Sequence, residues 1–240
     1  MKIAIMQPTF NPWLGYFDLI DYVDSFVFLD TVQLNHQSWQ TRNRLKVQGK
    51  ELMFSLPIVK ERSKRELLIK DARLDFRRFD FRKKLARTLE QNYKKADAFE
   101  EVHPFVMELV HYDTERLSEY NIHITAQIAS RIGIDTPRVI LSQSGFSSQA
   151  TKGELVLDIC LAFGGDTYVS PLGAKEYLET SRKSFEAKGV AIGYQHYAHP
   201  RYPQVGEDFL PYMGVFDLLY NVGFERARDI ILEGRHYEDR

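Results

Sequence analysis

The chain has 240 residues, 44% hydrophobic and 27% charged, with a formal net charge of −1. These values suit a large globular α/β domain. No apolar run reaches the ~18 residues needed to span a bilayer, and the single cysteine, Cys160, excludes an internal disulfide and a Cys-based zinc site.

The first residues read as a strand carrying Lys2 rather than as a signal peptide, so the expectation is a cytoplasmic protein without a transmembrane segment. The charge is uneven: residues 60–95 carry 14 Lys and Arg against 6 Asp and Glu, leaving 18 against 27 elsewhere. Such a run reads as a solvated helix face or as a surface that meets an anionic partner. It lacks the interleaved aromatics of a nucleic-acid motif, so nucleic acid is not expected.

Ile3–Met6 and Phe26–Leu29 are short apolar runs, as in strands buried on both faces. Between them Phe17, Leu19, Ile20 and Val23 fall at helical spacing, which makes a βαβ unit. Leu52–Ile58 reads as a third apolar strand, and the following "LLIKDARLD" as an edge strand. Three amphipathic helices follow: one around Phe81, Leu85 and Leu89, one around Val102 to Val110, and Tyr120–Ile132 with Asn121 as its cap and Gly133 as its stop. Alternation then resumes with strands at Val139–Leu141, Thr167–Ser170 and Val190–Tyr194. Helices are expected at Glu154–Phe163, Ala174–Ala187 and Phe209–Asn221. The order predicts one α/β domain over 1–240 with a mostly parallel, three-layer, nucleotidyltransferase- or Rossmann-like sheet and a helical insertion at 75–132.

Four polar stretches stand at strand ends, where α/β sheets bind ligands. The first is "QPTFNPWLGY", offering Gln7, Thr9, Asn11, Trp13 and Tyr16 ahead of a helix N-terminus. Its Thr9-Phe10-Asn11-Pro12 resembles the strand-to-helix loop of nucleotidyltransferases, but Trp13 and Tyr16 stand where the two histidines of that pattern would. The second is "LDTVQLNHQSWQTRNRLK", with Asp30, Gln33, His36, Ser38, Trp39, Arg42, Asn43, Arg44 and Lys46. Arginine suits phosphate and tryptophan suits a base or sugar face; the alternatives are an exposed hairpin, or Arg44 tied structurally to Asp30. The third, "YVSPLGAKEYL", offers Ser170, Gly173 and Lys175. The fourth, "YQHYAHPRYPQ", offers Gln195, His196, Tyr202 and Gln204. His36 or His196, with Asp30, are the candidates for moving a proton. No metal site is expected, no cofactor is specified, and Cys160 reads as a buried structural thiol.

Together, "QPTFNPWLGYF", "FVFLDTVQLNHQSWQTRNRLK", "KGELVLDICLAFGGDTYVSPLGAKEYL", "YQHYAHPRYPQ" and "FLPYMGVFDLLYNVG" resemble the WbqC-like family across nearly the whole chain. The resemblance implies a bacterial protein of O-antigen or other surface-polysaccharide biosynthesis. The expected activity is transfer of an acyl or aminoacyl group to a nucleotide-linked amino sugar. A nucleotidyltransferase using a nucleoside triphosphate and a non-catalytic sugar-nucleotide-binding protein are the alternatives. The expected partner is a small-molecule substrate, and homo-oligomerisation is left open.

Overall fold

The computed structural model describes residues 1–35, 37–60 and 67–238. Five parallel strands form its centre: β1 (Lys2–Met6), β2 (Ser25–Phe28), β5 (Arg138–Ile140), β6 (Thr167–Pro171) and β7 (Ala191–Gln195). A sixth, β8 (Tyr237–Glu238), pairs antiparallel with β7, and the sheet order is β5-β2-β1-β6-β7-β8. Successive side chains of a strand point to opposite faces. Ala4, Phe26 and Phe28 therefore enter one core, and Ile3, Ile5 and Val27 the other. This is why the strands read as unbroken apolar runs.

The first core packs α1 (Leu14–Tyr22), α2 (Phe81–Tyr93), α3 (Phe99–Val110), α4 (Leu117–Arg131) and α8 (Val215–Glu233). The second packs α5 (Lys152–Ala162), α6 (Lys175–Glu179) and α7 (Arg182–Ala187). The chain is thus an α/β, three-layer, Rossmann-like fold. Among the described residues, no helix is long and apolar enough to cross a membrane.

Several expected elements differ. The run from Leu52 is not part of the central sheet. It lies in β4 (Lys50–Ser55), which pairs with β3 (Arg42–Val47) as a separate antiparallel hairpin. Gln48 and Gly49 both take positive φ, 50° and 74°, and such a turn joins strands only to their immediate neighbour. Of β4, only Phe54 is buried. The "LLIKDARLD" stretch forms isolated bridges and a 3-10 turn at Ile69–Asp71 rather than a strand. The helix expected at Ala174–Ala187 is broken in two near Thr180 and Ser181. That expected at Phe209 starts at Val215, because Tyr212 sits at φ 61° and Gly214 is the extended residue before the first turn.

Asn121 is not a cap. It is buried inside α4, and its Nδ2 donates to the carbonyls of Pro8 (3.2 Å) and Gln40 (2.8 Å). A side chain expected to start a helix instead ties that helix to the loops after β1 and β2. The basic stretch carries its own counter-ions: Arg77 pairs with Asp75 and Arg82 with Asp80, and Arg73 reaches Glu115.

Candidate functional site

The chain leaves β1 through α1 toward β2, and it reaches β6, on the other side of β1, only after α5 on the opposite face. Connections therefore diverge at the carboxyl ends of β1 and β6, where an open α/β sheet leaves a crevice. A cavity of about 920 Å³ fills that position. It lies near the upper end of the ~300–1,000 Å³ range of small-molecule sites.

The opening loop is held in place from a distance. Asn11, at φ 43°, accepts the Phe216 N–H through its Oδ1 (3.0 Å), and Pro12 accepts the Val215 N–H through its carbonyl (2.8 Å). Asn11 thus caps the first turn of α8, satisfying donors that helix geometry leaves free. Asn43 Nδ2 donates to the Phe10 and Asn11 carbonyls at 2.8 and 2.9 Å, locking β3 to the same loop. The Trp13 ring folds back over Gly15, where a Cβ would lie 2.3 Å from it, and meets Tyr197 edge-on with centroids 5.3 Å apart.

Eleven predicted residues line this cavity: Gln7, Thr9, Trp13, Tyr16, Trp39, Asn43, Arg44, Ser170, Gly173, Gln195 and His196. Loops more than 180 residues apart in the chain converge there, because β1 and β7 end on the same edge of the sheet. The others lie elsewhere. Asp30 is buried and accepts from Ser142 through both carboxylate oxygens, N–H at 3.0 Å and Oγ–H at 2.5 Å. It therefore does not pair with Arg44, whose Nε lies 3.4 Å from Glu51 Oε1. Lys46, Tyr202 and Gln204 gather around Asp217 on α8 instead. There Tyr93, Tyr202 and Gln204 each donate to the Asp217 carboxylate at 2.8 Å, and Lys46 donates to Gln204 at 3.3 Å. Burial raises the Asp217 carboxyl above its ordinary value. Lys175 sits over the Tyr194 ring, and Ser38 donates to the Asn35 carbonyl. Asn11, Gln33 and Arg42 are likewise not among the lining residues. His36 lies outside the described residues.

Sequence reasoning missed Gln40, Tyr168, Leu172, Tyr177, Tyr197 and Tyr212, which also line the cavity. Trp39, Leu172, Tyr177 and Tyr212 are exposed, so they form an apolar rim. Tyr197 stands inside the polar stretch "YQHYAHP", and a tyrosine beside two histidines carries no signal of its own. Burial holds the phenols of Tyr16, Tyr168 and Tyr197 well above their ordinary value, so they remain neutral donors at pH 7.

The wall combines aromatic faces, neutral hydrogen-bonding groups and one guanidinium. Among the described lining residues there is no carboxylate. Three buried polar atoms on the wall have no hydrogen-bond partner: Gln40 Oε1, Arg44 Nε and His196 Nε2. His196 Nε2 lies 3.4 Å from Glu238 Oε1 without forming a hydrogen bond. Buried polar atoms without partners are uncommon.

Fold and site together define a Rossmann-like α/β protein with a cavity at its topological switch point. The chain matches the WbqC-like protein family over residues 7–229 and belongs to that family. It is 31% identical over 230 residues to the uncharacterized protein Rv1507c of Mycobacterium tuberculosis, covering 93% of this chain and 95% of that one. No solved structure matches it.

Proposed function

We propose that the cavity binds a nucleotide-linked amino sugar and that the protein transfers an acyl or aminoacyl group to the sugar amine, in the making of a bacterial surface polysaccharide. The observation that carries the reading is the pairing of Arg44 with Trp39 on a wall that also carries tyrosines, neutral amides and aliphatic side chains. A guanidinium beside an indole suits a phosphate next to a base, and aromatic faces suit sugar rings. The pathway rests on the WbqC-like resemblance.

In the reaction, the amine nitrogen attacks the carbonyl carbon of an activated donor such as a thioester. The C–N bond forms, the thiolate leaves, and the amine proton passes to a base before reaching the thiolate. His196 lines the cavity, and its imidazole is the group proposed to take that proton.

The test begins with ligand binding. UDP-, dTDP- and GDP-linked sugars are added to the protein and its melting temperature is followed, since a ligand at 100 times its Kd stabilises by ~2.7 kcal/mol. The nucleotide sugar that binds is then incubated with acyl thioesters and aminoacyl esters, and its mass is followed. A gain of one acyl group, lost in His196→Asn with binding retained, is the expected result. No stabilisation by any nucleotide sugar would overturn the reading. Binding without turnover points to a carrier, and pyrophosphate release from nucleoside triphosphates to a nucleotidyltransferase.

A further inference from the structure

Gln195 stands at the carboxyl end of β7, 2% exposed, and lines the cavity. Its side-chain amide is held by three groups, all on its nitrogen side. Nε2 donates to the Gly15 carbonyl at 2.9 Å, to Asp18 Oδ2 at 2.7 Å, and reaches the Tyr237 hydroxyl at 3.2 Å. The Tyr237 hydroxyl itself donates to Asp18 Oδ2 at 2.7 Å, so it meets Gln195 as an acceptor. Three acceptors around one end of an amide fix which end is nitrogen. The atom left for the cavity is the carbonyl oxygen.

Asp18 is fully buried on α1 and is oriented in turn. Arg235 Nε donates to its Oδ1 at 2.6 Å, and Arg235 Nη2 holds neighbouring Asp21 at 2.5 Å. The two carboxylate oxygens therefore have different partners. Oδ1 faces the guanidinium, and Oδ2 faces Gln195 and Tyr237. Gln40 lines the same cavity, and its Oε1 has no hydrogen-bond partner. An amide oxygen turned toward the cavity calls for a ligand group that donates.

Resting on the amino-sugar reading above, we infer that Gln195 is the specificity-determining acceptor for the sugar amine and that Asp18 is the positioning residue that turns its oxygen toward the cavity. Asp18→Asn makes this visible. Arg235 keeps the oxygen of the substituted amide on its own side, so the new amide nitrogen faces Gln195 Nε2. Two donors then oppose each other, and the Gln195 oxygen is no longer held toward the ligand.

The experiment compares two pairs of probes that differ only by the amine. These are UDP-glucosamine with UDP-2-deoxyglucose, and dTDP-4-amino-4,6-dideoxyglucose with dTDP-4,6-dideoxyglucose. The chain's 2 tryptophans, Trp13 and Trp39, both line the cavity, so their fluorescence reports occupancy directly. The wild type should bind the amino member of one pair roughly ten- to a hundredfold more tightly, the range for a hydrogen bond to a charged group. Gln195→Ala and Asp18→Asn should each reduce that ratio to about twofold or less while the deamino member keeps its Kd. Tyr237→Phe, which leaves Asp18 on Gln195, should retain most of the preference. A ratio that persists in Gln195→Ala, or an equal loss for both members in Asp18→Asn, would overturn the assignment. If Asp18→Asn does not fold, Gln195→Ala decides alone. Binding of the nucleotides without amine preference in the wild type removes this inference but leaves nucleotide-sugar binding standing. Binding of none of the four removes this inference, and absence of stabilisation by every UDP-, dTDP- and GDP-linked sugar removes the reading it rests on as well.

Discussion

Arg44 extends its guanidinium over the ring of Trp39, 5.4 Å from the ring centroid, while its Nε approaches Glu51 on the neighbouring strand at 3.4 Å. One side chain thus joins the exposed rim of the cavity to the β3–β4 hairpin, and the strand pairing fixes where the charge sits. Arg42, two residues earlier on the same strand, is not on the wall.

This separates two arginines that the sequence treats alike. Arg44→Ala should weaken a phosphate-bearing ligand by ~1.5–3 kcal/mol, roughly ten- to a hundredfold, if the guanidinium donates to it. Its loss should cost little stability, because a half-exposed pair such as Arg44–Glu51 contributes ~0–1 kcal/mol. Arg42→Ala should leave affinity unchanged. Titrating UDP-glucosamine into both variants by tryptophan fluorescence checks this, with melting temperatures alongside. Equal losses in the two would detach the anion site from the cavity.

Gly214 and Asn11 bring the two ends of the chain into close contact. A Cβ at Gly214 would lie 2.0 Å from Asn11 Nδ2 and 2.5 Å from the Asn11 carbonyl. The obstacle includes backbone, so it cannot swing aside, and Asn11 is already held by Phe216 and Asn43. Overpacking of this kind typically costs ~1–3 kcal/mol. Gly214→Ala should therefore lower the denaturation midpoint in urea and shift the Trp13 emission, since Trp13 bridges to Gly214. A variant with native stability and native emission would show that the loop and α8 are not coupled.

How much of this was legible in the sequence depends on range. The strands at Ile3 and Phe26 announced themselves, because burial on both faces leaves an apolar run that needs no partner to be seen, while the half-buried edge strand at Val139 showed only as a short apolar run. So did α2 to α4, whose stripes repeat within the helix. Gly133, at φ 77°, ended α4 as its backbone freedom suggests. The failures are residues whose partner is far along the chain. Asn11, Asp30 and Asn121 are polar residues whose local setting suggests a binding site or a cap. Each instead satisfies backbone or side-chain groups of a distant element: α8, the turn at Ser142, and the loops at Pro8 and Gln40. Lys46 and Gln204 likewise lie off the cavity, gathered near Asp217. The aromatic rim was missed for the opposite reason. Tyr177 and Tyr212 sit in helix- and loop-like text, and only the meeting of β6, β7 and the loop before α8 gives them a common cavity.

Glu179 supplies a prediction in acid. Hydrogen bonds from Arg182, with a further one from Tyr194, hold its carboxyl down at about 2, against the ordinary 4.5. A folded-state value below the unfolded one means the contribution is present above pH 4.5 and fades as pH falls toward 2. The melting temperature of Glu179→Gln should lie below the wild type at pH 7, with the gap narrowing as pH is lowered from 4.5. The pair is exposed, so the gap at neutral pH should be small. A gap that stays constant down to the lowest pH at which both fold would mean the Arg182 contact contributes nothing to folding.

Cys160 offers a direct readout of the second core. It is fully buried on α5 among the side chains that cover one face of the sheet, with Ile3 and Tyr168 in the same cluster. Burial in apolar surroundings pushes its thiol up to about 12, because a thiolate there would lose its hydration. Reaction with a disulfide reagent needs the thiolate and needs access. Both are denied while α5 is docked. Native protein should therefore react with Ellman's reagent far more slowly than the urea-unfolded chain. As urea rises, the labelling rate should follow the fraction unfolded seen by circular dichroism. Ligands that fill the cavity should slow labelling further by stabilising the folded state, although Cys160 does not line the wall. Rapid labelling of native protein at pH 7, with one thiol titrated and circular dichroism unchanged, would show that α5 opens independently of the rest. Cys160→Ser tests the same packing from the other side. A hydroxyl in that apolar setting, without a partner, should destabilise by ~1–3 kcal/mol, and Cys160→Ala by less, since it leaves only a small void.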